Sequence, residues 1–140
     1  MKKGKRRYKM PKFRVLLVDD EQDFLTVMGR RIESWGYEVM PVSGGKEALE
    51  AVKQKKADLA ILDYMMPVMD GIKTLKEIRK IDVKIPVIMF TAHLEEKVIQ
   101  GTEDLMVNAF IPKLSEYSDS QSALKTTLDI HRKLKEKDNS

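Results

Sequence analysis

The stretch LAILDYMMPVMDG, residues 59–71, sets a four-residue apolar run directly before Asp63, a proline-containing loop and an Asp-Gly pair. The run is too short for a helix and reads as a strand buried on both faces. Asp70-Gly71 then opens a helix whose apolar positions Ile72, Leu75 and Ile78 recur at helical spacing. Three further runs behave alike. RVLLV (14–18) ends in Asp19-Asp20-Glu21, PVIMF (86–90) ends in Thr91, and NAFIP (108–112) ends in Lys113. Helical patterns lie between them, so the class is α/β with a parallel sheet.

The full order reads β1 13–18, α1 22–35, β2 37–42, α2 45–55, β3 58–62, α3 71–80, β4 86–90, α4 94–105, β5 108–112 and α5 118–136. Five such alternations give a doubly wound five-stranded parallel sheet, most simply in the order 2-1-3-4-5, with helices on both faces. In α1, Phe24, Val27, Met28, Ile32 and Trp35 recur at helical spacing, and Gly36 stands at the C-cap position. Gly44-Gly45 opens α2, with Ala48, Leu49 and Val52 on its apolar face, and Pro86 is expected to begin β4. Gly101-Thr102 interrupts the α4 pattern, since a mid-helix glycine costs about 1 kcal/mol relative to alanine. In α5, Leu124, Leu128 and Leu134 form one line and Ala123, Thr127 and Ile130 an adjacent one, with core burial expected for both.

Parallel strands all point the same way, so residues just past their carboxyl ends gather at one edge, where open α/β folds place ligands. That edge collects Asp19, Asp20, Asp63, Thr91 and Lys113. Adjacent carboxylates repel unless exposed or holding a cation, and a hard ion such as Mg2+ suits carboxylates without thiol or imidazole. Asp63 beside such an ion can act as a nucleophile toward phosphorus, with a helix-starting acid as the plain alternative. Lys113 and the metal would neutralise charge on the transferring group, although a surface lysine is the ordinary reading. Thr91 alone reads as a cap; opposite a phosphorylated Asp63 its hydroxyl could donate to a phosphate oxygen. Glu21 is read as a helix-starting acid favoured by the helix dipole. His93 and His131 have no partner at ligand spacing and read as surface residues.

At 140 residues the chain suffices for one domain. It contains no cysteine, which excludes disulfides and thiolate metal sites. No run reaches the length of a membrane span, and no secretory leader pattern follows the basic start, so a cytoplasmic location is expected. The net charge of +4 belongs to the first twelve residues, which hold seven Lys or Arg and no acid. Residues 13–140 carry 19 bases against 22 acids, a net −3. The tail is read as a solvated leader, and no direct nucleic-acid binding is expected.

Taken together, VDDE at 18–21, DYMMPVMDG at 63–71, FTA at 90–92 and Lys113 resemble the receiver domain of two-component response regulators. The stand-alone chemotaxis-regulator type is the nearest architecture. The resemblance covers about residues 13–136, with 1–12 a basic tail and 137–140 a C-terminal end. It implies the flavodoxin-like receiver fold, with Asp63 accepting a phosphoryl group from a sensor histidine kinase or a histidine phosphotransfer protein. It implies that Asp20, Asp63 and the backbone carbonyl of Met65 bind Mg2+, Asp19 assisting through water. Thr91 and Phe110 would form the switch pair, while Met65 and His93 would tune the phosphoryl lifetime. A downstream protein, or a second copy in a homodimer, would read the α4–β5–α5 face. Turnover beyond self-phosphorylation and self-dephosphorylation is not implied.

The chain departs from the family where Pro112 precedes and Leu114 follows the lysine instead of the usual Lys-Pro, and where Met106-Val107 replaces Gly-Ala. Other readings are a receiver cut from a larger regulator or hybrid kinase, or a receiver-like module that works without phosphorylation. A haloacid-dehalogenase-like phosphatase is disfavoured, because Met65 stands where its second aspartate belongs.

Overall fold

In the computed structural model, which describes residues 11–92, 94–113 and 118–138, five parallel strands lie in the order β2-β1-β3-β4-β5. They are β1 (Arg14–Val18), β2 (Glu38–Val42), β3 (Leu59–Leu62), β4 (Val87–Thr91) and β5 (Ala109–Pro112). The helices are α1 (Gln22–Ser34), α2 (Gly45–Lys53), α3 (Gly71–Ile81), α4 (Glu96–Gln100) and α5 (Ser118–Asp138), with a 3₁₀ turn at Glu103–Leu105. Topology and element order agree with the sequence reading. Residues 1–10 of the expected 1–12 tail and the Lys113–Leu114 bond lie outside the described residues.

Successive strand side chains point to opposite faces, so each inner strand feeds two cores. Val15, Leu17, Ile61, Ile88 and Phe90 pack with Leu25 and Ile32 of α1 and with Leu124 and Leu128 of α5. Leu16, Val18, Leu62, Val87 and Met89 pack with Ala48 and Val52 of α2 and with Leu75 and Ile78 of α3. Each such side chain contributes about 1.5–3 kcal/mol on burial, which concentrates the hydrophobic stabilisation in the inner strands. β3 and β4 are buried along their whole length. Pro41 and Pro112 sit in the edge strands β2 and β5, where a missing N–H can face away from the ladder.

Several expectations are corrected. Pro86 precedes β4, whose last residue is Thr91. α4 does not run over 94–105. It begins after the extended Glu95 and ends at Gly101, where the Thr102 hydroxyl donates to the Ile99 carbonyl at 2.8 Å and caps the turn. A Cβ on Gly101 would lie 2.9 Å from Ile72 Cδ1, the movable end of an α3 side chain, so α4 ends close against α3. Val27 is exposed, and Leu25 takes the core position. In α5, Leu124 and Leu128 are buried, but Ile130 and Leu134 are half exposed. Leu134 lies six residues after Leu128, which at 3.6 residues per turn carries it about a third of a turn off the buried line.

Two arginines organise the amino-terminal edge of the sheet. Arg14 opens β1 and Asp58 immediately precedes β3, and the parallel pairing of the two strands sets them side by side. Asp58 accepts from Arg14 N at 2.8 Å, Nε at 3.2 Å and Nη2 at 3.1 Å, and from Lys135 Nζ at 2.8 Å. Arg79 of α3 donates to four carbonyls: Leu105 at 2.8 Å, Met106 at 3.0 Å, Ile85 at 2.7 Å and Asp82 at 3.2 Å. That bonding uses the planar guanidinium fork, which a lysine lacks.

Candidate functional site

The last rungs of the sheet ladder hold the backbone of the opposite, carboxyl edge. Asp19 N donates to Val42 O at 3.2 Å, Asp63 N to Val18 O at 3.1 Å and Lys113 N to Thr91 O at 2.9 Å. Each of these side chains therefore starts from a fixed peptide, which is what a pre-organised site requires. Pro67, Val68 and Met69 carry the chain from β3 into α3. Asp70 caps that helix by accepting from Lys73 N at 2.9 Å. Gly71 N donates to the Tyr64 carbonyl at 2.8 Å, and a Cβ on Gly71 would stand 2.3 Å from the carbonyl oxygen of Asp63. The Asp-Gly pair is thus more than a helix start, since only glycine lets α3 close against the Asp63 peptide.

Asp19, Asp20 and Asp63 offer carboxylate oxygens that lie within 4.8 Å of one another. Asp19 and Asp63 are buried and Asp20 is exposed. Asp19 accepts from Glu21 N at 2.9 Å and from Lys113 Nζ at 2.7 Å. Burial pushes its carboxyl above the ordinary range, and the nearby Asp63 charge adds to this against the pull of Lys113 and the Glu21 amide. Asp63 is less well served. Its Oδ1 is buried without a hydrogen-bond partner, and its Oδ2 is 3.6 Å from Lys113 Nζ, an ion pair beyond hydrogen-bond reach. Three converging carboxylates with one orphaned buried oxygen fit a hard divalent cation.

Lys113 Nζ sits among the acids: 2.7 Å from Asp19, 2.8 Å from Glu21 and 3.6 Å from Asp63. Burial alone would lower its pKa, but the bonds from Asp19 and Glu21 outweigh that and hold it above the ordinary value. The ammonium lies 4.0 Å from the centroid of the Phe24 ring, and that ring packs on Phe90 at 5.8 Å. Thr91 is wholly buried at the end of β4. Phe110 is half-buried against the α2–α3 core and opposite Met89 in register. Met65 is half exposed, and His93 lies outside the described residues.

The structure therefore brings Asp19, Asp20, Asp63 and Lys113 together, with Thr91 ending the intervening strand. Glu21 stands at the N-cap of α1, as a helix-starting acid should, but its side chain makes no cap bond and also reaches Lys113, a contact the sequence reading missed. Phe24 was legible only as a core residue, because its contact with a cation 89 positions away in the chain leaves no local pattern.

The sequence model of the response regulator receiver domain matches residues 15–125. The alkaline phosphatase synthesis transcriptional regulatory protein PhoP of Bacillus subtilis is 38% identical over 105 residues, covering 71% of this chain and 44% of that protein. This chain spans less than half the length of the curated relatives first matched. Among solved structures, a CheY-like response regulator receiver domain protein from Methanospirillum hungatei superposes with a TM-score of 0.78 at 26% identity, covering 88% of this chain and 98% of that one. The response regulator TrrA of Thermotoga maritima, solved in complex with Mg(2+)-BeF, gives a TM-score of 0.71 at 26% identity and covers 81% and 97%.

Proposed function

This chain belongs to the response regulator receiver domain family of two-component signalling, and from that premise we propose that Asp63 is the residue that takes the phosphoryl group. The observation that carries the proposal is the orphaned, buried Oδ1 of Asp63, on a carboxylate grouped with Asp19 and Asp20 and with Lys113 3.6 Å from its other oxygen. A buried acceptor without a partner costs free energy, and such a group persists where function needs it. Its carboxylate oxygen attacks phosphorus of a phosphohistidine, the new O–P bond forms, and the N–P bond breaks with its electron pair left on the imidazole nitrogen.

Asp19, Asp20 and Asp63, with the Met65 carbonyl, are the groups that would hold Mg2+, as the Mg(2+)-BeF complex of TrrA suggests by likeness. When bound, the ion neutralises charge on the transferring phosphoryl group. Lys113, 3.6 Å from Asp63, supplies a second positive charge. Thr91 donates its hydroxyl to a phosphoryl oxygen, and Phe110 follows into the space its movement leaves. The modification thereby shifts the balance between two conformers.

The donor is a sensor histidine kinase or a histidine phosphotransfer protein. The reader is a protein docking on α4–β5–α5, where Ile99 and Ile130 expose apolar surface, and a second copy could use the same face. Among the described residues no helix is long and apolar enough to cross a membrane, and a cytoplasmic location accords with such partners. No turnover of other substrates is proposed.

Acetyl phosphate with Mg2+, read by intact mass, tests the assignment. One phosphate adduct is expected on the wild type and none on Asp63→Asn. An adduct that survives in the variant would move the acceptor elsewhere.

A further inference from the structure

Lys113 has three donors and spends two of them, on buried Asp19 and on Glu21 at 2.8 Å. Glu21 is about two-thirds exposed, and its only ion-pair partner among the described residues is Lys113. The Phe24 ring, one turn along α1, covers the same ammonium at 4.0 Å, which adds a cation–π contact. The ring is itself seated on Phe90, next to Thr91. Lys113 is thus drawn toward the first turn of α1 and stays 3.6 Å from Asp63.

We propose that Glu21 and Phe24 form a resting-state latch on Lys113, and that Glu21 is a positioning residue restraining phosphorylation of Asp63. The proposal rests on Asp63 as phosphoacceptor. New anionic oxygens on Asp63 compete with Glu21 for the ammonium, so the latch opens as the phosphoryl group arrives. The first turn of α1 then becomes a second surface, apart from α4–β5–α5, whose charge depends on phosphorylation, because Glu21 is released to solvent.

The test uses the full chain as wild type, Glu21→Gln and Phe24→Leu, with Asp63→Asn as the unphosphorylated control. First, without Mg2+ or phosphodonor, the lysines are acetylated briefly with acetic anhydride and Lys113 modification is read by peptide mass relative to the other lysines. Glu21→Gln should raise it about two- to fivefold, the range set by the loss of one exposed ion pair. Phe24→Leu should raise it by less. Second, the initial rate of phosphate adduct formation from acetyl phosphate with Mg2+ should rise in Glu21→Gln by a similar factor. A purely structural role would move the thermal midpoint and leave the labelling ratio alone. Unchanged Lys113 labelling in Glu21→Gln overturns the latch. So does raised labelling with a phosphorylation rate equal to or below wild type. If the wild type itself forms no adduct, the Asp63 reading fails, and Lys113 labelling alone then decides whether the contact restrains the lysine.

Discussion

The two edges of the sheet each bury an aspartate beside a lysine, and they treat it in opposite ways. Asp58 at the amino edge and Asp63 at the carboxyl edge are 9% and 6% exposed. Asp58 receives four hydrogen bonds from Arg14 and Lys135. Burial would raise its carboxyl, but the bonds from Arg14 and then Lys135 prevail and hold it below the ordinary range. Asp63 keeps one oxygen without a partner and its lysine at 3.6 Å. Equal burial with unequal satisfaction separates a carboxylate that closes the structure from one kept open for a reaction.

Paired variants give the largest expected difference. Asp58→Asn leaves Arg14 and Lys135 without their carboxylate and should cost about 2 kcal/mol in urea unfolding. That is less than the 3–5 expected for a fully buried pair, because both cations are partly exposed. Asp63→Asn should hold or raise stability, since it removes a charge that is buried near Asp19. An Asp63→Asn variant as damaged as Asp58→Asn would break the contrast.

A pH series sharpens it. A carboxyl whose folded pKa lies below its unfolded value stabilises the fold above the unfolded value, about 3.9 for aspartate. That contribution disappears as pH falls through the folded value. The stability gap between wild type and Asp58→Asn should therefore be full at pH 7 and shrink below about pH 4. A gap that stays constant to strong acid would mean that Asp58 acts by packing rather than charge.

The smallest effect concerns backbone. Val68, in the loop after Asp63, has φ +70 and is almost fully exposed. A β-branched residue in the left-handed region is strained. Val68→Gly should raise stability by about 1 kcal/mol, the steric cost of that region less the glycine entropy penalty. A lowered thermal midpoint would show that the loop depends on the valine side chain.

The carboxyl edge was largely legible because strand direction alone gathers Asp19, Asp20, Asp63, Thr91 and Lys113. Short apolar runs marked the strands, and each polar terminus followed one directly. What escaped reading depends on side chains reaching across the fold. Lys113 and Glu21 are 92 positions apart and Lys135 and Asp58 are 77. Arg14 and Asp58 were within reach of inference, since Arg14 opens β1 and Asp58 immediately precedes β3, its neighbour in the sheet. α4 was over-extended because the interruption at Gly101-Thr102 was read as a weak point inside one helix, whereas the helix ends there and Thr102 closes the turn by donating to the Ile99 carbonyl. Leu134 was misplaced by counting leucines instead of following the angle around the helix.

Arg79 turns the segment between β4 and β5 into a cantilever. Its bonds to the Leu105 and Met106 carbonyls anchor the far end to α3, and those to Ile85 and Asp82 tie the same anchor to the start of β4. The near end, just beyond Thr91, is remote from that clamp. A displacement begun at the carboxyl edge would have to work through residues 94–101 against buried Val98 and the close approach of Gly101 to Ile72 before it met that clamp. The clamp, and not the site, marks where this segment is tied back to the rest of the fold.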